Sequence, residues 1–274
     1  MSRDQIIKIG MVILVVVLLC AVIITSTGMF GKIGGYANAE LYTSGDTEIT
    51  EDIKKIDVSW TSGKVTVAYH AENTVSLKES AKRALSDDEK LQWWVDGDTL
   101  RVQFTKPGIR WNMPEKELTI TLPEDIRLQQ ANIGTTSGDI EIPALKAEVL
   151  ILDATAGHIR ACAETDKAEV NTTSGDQELE FNGSATQIRI NSTSGSIDTE
   201  LGKMKQLSIN VTSGNVTAKL PETPGFTADV HTTAGDFTYG LALTREGDKY
   251  VCGDGSGTVD IHTTAGNVRI DGLN

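Results

Sequence analysis

The sequence is short of aromatic residues, which make up 5% of its 274 positions, and of cations, with 25 Lys and Arg against 38 Asp and Glu. The formal charge of −13 repels phosphate backbones and anionic headgroups, which excludes nucleic acid as a partner. Recognisable catalytic signatures are missing too. There is no Ser-His-Asp arrangement, no phosphate-binding loop and no dinucleotide fingerprint. An enzyme acting on polysaccharides would need clustered carboxylates with Arg or Lys on one face, and the segments described below offer few outward cations. The expectation is a protein that is not an enzyme and carries no cofactor. Cysteine is scarce: Cys20, Cys162 and Cys252.

What the sequence does have is one apolar run and one repeat. "IGMVILVVVLLCAVIITSTGMF", Ile9 to Phe30, carries no charge. At about 1.5 Å per residue it spans a bilayer core of about 30 Å. Arg3 and Lys8 precede it, and acidic residues follow soon after Lys32. The expectation is a cytoplasmic tail (1–8), a single transmembrane helix (9–30), an exposed linker (31–50) and an extracellular remainder at the cell membrane. The sequence "ANA" at Ala37–Ala39 has the form of a signal-peptidase site but lies far beyond the end of the strongly apolar run at Ile24. At Cys20 a bulky Leu19 precedes the cysteine and more apolar residues follow, which argues against lipidation.

The repeat is Thr-Ser/Ala-Gly, with glycines at 63, 138, 157, 175, 195, 214, 235 and 266. From Gly138 to Gly235 the steps are 19, 18, 20, 19 and 21; the last step is 31 and the first is 75. Counting from each glycine, positions −7 and −5 are apolar, as in Val170, Ile188, Ile190, Ile209 and Ile261, with polar residues between. That is the alternation of a strand with one buried face. Continued, it puts the small residue at −1 inward and the threonine at −2 outward. Apolar residues resume at +2 and +4, as in Ile140 and Ile142, so the chain must bend at Gly-Asp/Asn.

Two short strands per coil of about 19 residues cannot bury a core alone, but stacked coils can. The expected fold class is all-β, a parallel β-helix or β-solenoid. Residues 131–274 form its regular coils, with an insertion at about 241–256. Residues 51–130 form an irregular β section and cap, which holds Trp60, Trp93, Trp94 and Trp111. "LQWWVDGDTLRVQF" reads as a hairpin turning at Asp96-Gly97. "LYTSGD", around Gly45, breaks the template, because Asn38 and Glu40 would sit at its inward positions. Cys162 and Cys252 fall several coils apart, too far for a disulfide.

The pattern T-[TS]-[SA]-G-[DN]-[IV], about every 19 residues in an acidic region behind an N-terminal anchor, resembles a bacterial family of unknown function, described as β-strand-repeat candidate adhesins. Related proteins occur among envelope-stress loci of Gram-positive bacteria. The resemblance covers residues 52–274 and implies a solenoid and a surface location; it carries over no site residues. It implies adhesion or envelope interaction, or an accessory role in envelope-stress signalling. The expected partners are the membrane, through the N-terminal helix, and an envelope protein or cell-surface glycan.

Within the repeat, the outward column at −4 reads Asn171, Asn191, Asn210, His231 and His262, with Asp229 and Asp260 two residues before the histidines. If the insertion loops out, the two Asp-x-His units are neighbours about 5 Å apart. Asp229, His231, Asp260 and His262 are then a donor set suited to zinc or a similar ion. The corner residue at +1 (Asp139, Asp176, Asn215, Asp236, Asn267) is explained by closing the turn. The last strand, Val268 to Ile270, is expected to offer an open edge for self-association.

Overall fold

Alternation of buried and exposed side chains runs through most of the coil strands between their corners, and it builds one continuous solenoid. The computed structural model describes residues 36–108, 112–183 and 185–273. The proposed tail, the transmembrane segment 9–30 and Trp111 lie outside them. Among the described residues no helix is long and apolar enough to cross a membrane.

In chain order, β1 (Thr43–Ser44) and β2 (Thr47–Ile49) flank Gly45, and β3 (Lys55–His70) carries Gly63 at its bend. Next come β4 (Val75–Ala81), β5 (Gln92–Asp96), β6 (Thr99–Gln103) and β7 (Lys116–Pro123). The coils proper are β8 (Leu128–Ile142), β9 (Lys146–Ala156), β10 (Ile159–Ser174) and β11 (Gln177–Asn182), followed by β12 (Ala185–Ser194), β13 (Ile197–Leu201), β14 (Met204–Ser213) and β15 (Val216–Leu220). The chain finishes with β16 (Gly225–Ala234), β17 (Phe237–Tyr239), β18 (Thr244–Glu246), β19 (Lys249–Gly253), β20 (Gly257–Ala265) and β21 (Val268–Gly272). Coil pairs with coil in parallel and in register, for example Val170 with Ile190 and Ile190 with Ile209. Leu152, Val170, Ile190, Ile209 and Ile261 thus form one buried column. Each such side chain contributes about 1.5–3 kcal/mol.

The corner differs from the alternation expected of it. Position −3 faces inward, as Thr135, Thr172, Ser192 and Thr263 show, whereas −1 is exposed at Ser137, Ser174, Ser194 and Ala265. The bend begins at −2, so two consecutive residues sit on its convex side. The reason is backbone stacking. A Cβ on Gly175 would lie 1.9 Å from the Gly157 carbonyl oxygen, and φ there is +134°. Glycines therefore pile directly on one another. The inward hydroxyl at −3 supports the bend: Thr135 Oγ1 donates to the Gly138 carbonyl at 2.7 Å. Gln177 and Thr199, which interrupt the apolar pattern, are nonetheless buried. Gln177 Nε2 donates to Thr172 Oγ1 at 2.7 Å, which in turn donates to Ser192 Oγ at 3.1 Å.

The two irregular glycine steps mark places where the chain passes over a coil. β3 lies between β8 on one side and β6 and β7 on the other, all parallel. Likewise β20 lies between β14 and β16, and β21 between β15 and β17. The final strand Val268–Ile270 is therefore an interior strand, which corrects the expected open edge. The returning coil fills the gap beside β14, and this leaves β16 and β17 outermost.

The N-terminal end is closed by antiparallel strands. β5 covers β6 through the expected hairpin, and β4 covers β7. β1 and β2 then pair onto β5 and β4. Residues 43–49, read from sequence as linker, are thus part of the cap, and Ile49 is buried. Lys116 occupies the corner where the other coils have glycine, and it is fully buried. Its ammonium donates to Glu79 Oε2 at 2.8 Å, to the Glu89 carbonyl at 2.6 Å and to the Phe104 carbonyl, and it lies over the Phe104 ring at 4.3 Å. Burial pulls the pKa of Lys116 below the ordinary lysine value, and Glu79 opposes that shift. Trp60 Nε1 donates to the Lys116 carbonyl at 2.9 Å. Trp93 packs against the core, while Trp94, next to it, turns to Tyr42 at a centroid distance of 5.7 Å. Cys162 on β10 and Cys252 on β19 are both free.

Candidate functional site

The outward −4 column is a bonded ladder that ends in the predicted histidines. Asn171 Nδ2 donates to Asp153 Oδ1 at 2.9 Å, Asn191 Nδ2 to Asn171 Oδ1 at 2.8 Å, and Asn210 Nδ2 to Asn191 Oδ1 at 3.1 Å. Burial raises the pKa of Asp153 above the usual carboxylate value, against the lowering effect of the Asn171 amide. Because β20 inserts beside β14, the next residue in the column is His262, then His231. The imidazole rings stack, with centroids 5.2 Å apart and planes 15° from parallel.

All four predicted donors are thereby brought onto one face of two adjacent strands, with Asp229 beside Asp260 and His231 beside His262. They do not form a cage. His231 Nε2 lies 2.9 Å from Asp229 Oδ1 on its own strand. Among the described residues no group of three or more His, Cys, Asp and Glu side chains is placed to hold a metal ion. The arrangement is a polar ladder that extends to the open end of the rod.

The corner residues at +1 do more than close their own turns. Asp139 Oδ1 accepts the backbone N–H of His158 at 2.8 Å, and Asp176 Oδ1 that of Ser196 at 2.8 Å. Asn215 does the same for Asn267, and Asn267 for Asp236, each at 2.9 Å. Each corner side chain caps the next coil, a role that alternation cannot reveal because it links residues in different coils.

Sequence reasoning missed the aromatic group at the same end. Phe237 and Tyr239 on β17 meet Tyr250 on β19 at centroid distances of 4.9 and 6.0 Å. The Arg245 guanidinium lies 5.9 Å over the Tyr250 ring. The signal available was the insertion itself, which interrupts the repeat and brings Tyr250 back to the rod. β19 pairs with β16 only from Gly225 to Ala228. Beyond Ala228, β16 and β17 have strand partners on one side only among the described residues.

Crystal structures with similar folds include a candidate cell adhesion protein from Clostridium sporogenes, with 16% identity, 84% of this chain and 100% of that one covered, and a TM-score of 0.41. A candidate adhesin from Bacteroides fragilis has 15% identity, coverage of 85% and 97%, and a TM-score of 0.44. A candidate lipid-binding protein from Parabacteroides distasonis has 13% identity, coverage of 85% and 97%, and a TM-score of 0.43. Among curated proteins none matches the sequence. The model of one family, Toastrack DUF4097, matches residues 53–271, nearly the whole solenoid, and the chain belongs to that family.

Proposed function

We propose that the chain is a non-catalytic surface rod, held to the cell membrane by Ile9–Phe30 and working in adhesion or envelope interaction through its open end. The observation that carries this reading is the inequality of the two ends. Antiparallel strands cover both strands of the outermost N-terminal coil, β6 and β7, whereas among the described residues most of β16 and all of β17 keep an edge without a strand partner. An uncovered edge with aromatic side chains beside it is a place for another molecule to add. The outward polar columns support a structural role for the sides of the rod, since Asn and Asp side chains there are spent on one another and on the backbone. The partner class in this reading is an envelope protein or cell-surface glycan.

The test is site-specific photocrosslinking in intact cells. A photoreactive residue replaces Tyr239 at the open end or Gln103 at the covered end of the full chain, and products are identified by mass spectrometry. Capture of an envelope protein or glycan from Tyr239 alone is expected. Equal capture from both positions, or a rod that externally added protease cannot reach, would overturn it. Capture of a membrane sensor kinase would turn the reading toward stress signalling.

A further inference from the structure

The short rung at the N-terminal end, β1–Gly45–β2, runs in a direction that its antiparallel neighbours conceal. β1 is antiparallel to β5, and β5 to β6, so β1 runs with β6 and with every coil. By the same count through β4 and β7, β2 does as well. Its corner follows the coils in detail. Gly45 has φ +93°, and Asp46 Oδ1 accepts a backbone N–H of the neighbouring strand, that of Glu79 on antiparallel β4, at 2.9 Å, much as Asp139 accepts that of the corner residue His158. The segment set aside in the sequence as a broken copy is thus a working strand–glycine–strand rung. Among the described residues it is paired on one side only.

We propose that the solenoid stacks head to tail on a second copy of itself, the Thr43–Ile49 rung of one molecule pairing in parallel with Thr233–Tyr239 of the next, so that only the last molecule of a stack keeps its open end for an envelope partner. Each open edge suits the other. Within the stack, a Cβ on Gly266 would lie 1.9 Å from the Gly214 carbonyl oxygen, and one on Gly235 would lie 2.0 Å from that of Gly266. A rung laid over Gly235 therefore needs glycine at its corner, and Gly45 supplies it. The corner caps run Asn215 to Asn267 to Asp236, and among the described residues no donor bonds the Asp236 carboxylate. The next N–H in that line would be that of Asp46.

Among the described residues the exposed large hydrophobics are Leu41, at 50%, and Tyr239, at 47%. Leu41 ends the short 3-10 helix Ala39–Leu41 that leads into β1, and Tyr239 ends β17. With Gly45 over Gly235, Ile49 falls beside Tyr239. The edge also lacks the usual protection: "DVHTTAGDFTYG", Asp229 to Gly240, contains no lysine, arginine or proline. The two surfaces differ, so the contact does not close on itself and propagates as a filament.

The test is a cysteine pair in the full chain, Thr43→Cys with Thr233→Cys, which face each other in this register. Parallel neighbours about 4.8 Å apart suit a disulfide. After mild oxidation the double variant is expected to give a ladder extending beyond dimers on a non-reducing gel, absent from the unmodified chain and from either single variant. Adding Tyr239→Lys is expected to cut the yield of cross-linked species at least tenfold while the β-sheet circular dichroism stays unchanged. A double variant that stays monomeric with native circular dichroism overturns the proposal. So does Thr233→Cys alone forming dimers, which would mean that two C-terminal ends pair with each other.

Discussion

The two ends of the rod solve the same problem differently. Both interleave the chain so that one coil is inserted between two others that follow each other in sequence, β3 between β6–β7 and β8, and β20–β21 between β14–β15 and β16–β17. The N-terminal end then adds an antiparallel layer and fastens it from inside with Lys116, whose ammonium joins β7 to Glu79 on β4 and to the carbonyls of Glu89 and Phe104. The C-terminal end adds only the β18–β19 hairpin, which covers β16 as far as Ala228 and holds Tyr250 against Phe237. One end is locked by a buried cation. The other is packed by surface aromatics and stays partly open. The difference teaches that a solenoid can close one end with an antiparallel layer that leaves just the short β1–β2 rung at its edge, and leave most of a full coil uncovered at the other, without any change in its repeat.

Replacing Lys116 by methionine should separate the ends most sharply. Glu79 would stay buried without its cation, and a loss of about 3–5 kcal/mol is expected in urea denaturation. Lys116→Met combined with Glu79→Gln should recover part of it. At the other end, Gly235→Ala puts a methyl into the Gly266 carbonyl at φ +151° and should cost about 3 kcal/mol. Hydrogen exchange is expected to show that loss confined to β16, β17 and their neighbours, because coils in a solenoid contact only adjacent coils.

Acid should loosen the covered end first. The Arg83 guanidinium, and then the Ser86 N–H, hold Glu89 at about 2 against a usual 4.5. A depressed carboxyl stabilises the folded state above its unfolded pKa, and that contribution is lost as pH falls from about 4.5 toward 2. Exchange protection around residues 82–90 should therefore fall over that range before that of β16 and β17. Smaller effects are expected along the ladder. Asn191→Ala, which breaks bonds to Asn171 and Asn210, should cost about 1 kcal/mol by thermal denaturation. His231→Ala, at the exposed end of the column, should stay within about 0.5 kcal/mol.

Much of the architecture was legible because alternation and glycine spacing are local records of which face is buried. The coils, the hairpin around Gly97 and the neighbouring Asp-x-His strands all followed from them. Order in space did not. A step of 31 residues says that something intervenes, but not that the last coil slips beneath the one before it. That choice depends on β20 finding two partners at once. Lys116 was hidden because "EKEL" reads as a solvated stretch, and only the stacked neighbours show that its corner is enclosed. The −1 column departs from alternation because the bend already begins at −2.

The interleaved C-terminal coil also sets an order in time. As the chain emerges during synthesis, coils up to Leu220 can zip onto one another as they appear. The next coil made, Gly225 to Tyr239, has no settled seat, because the place beside β14 and β15 belongs to residues not yet synthesised. It must wait for Gly257 to Gly272, and the last two coils then dock as a single unit. A chain stopped anywhere before Gly257 therefore lacks the coil that seats Gly225–Tyr239, and the open end of the rod is the last part of the molecule to come into existence.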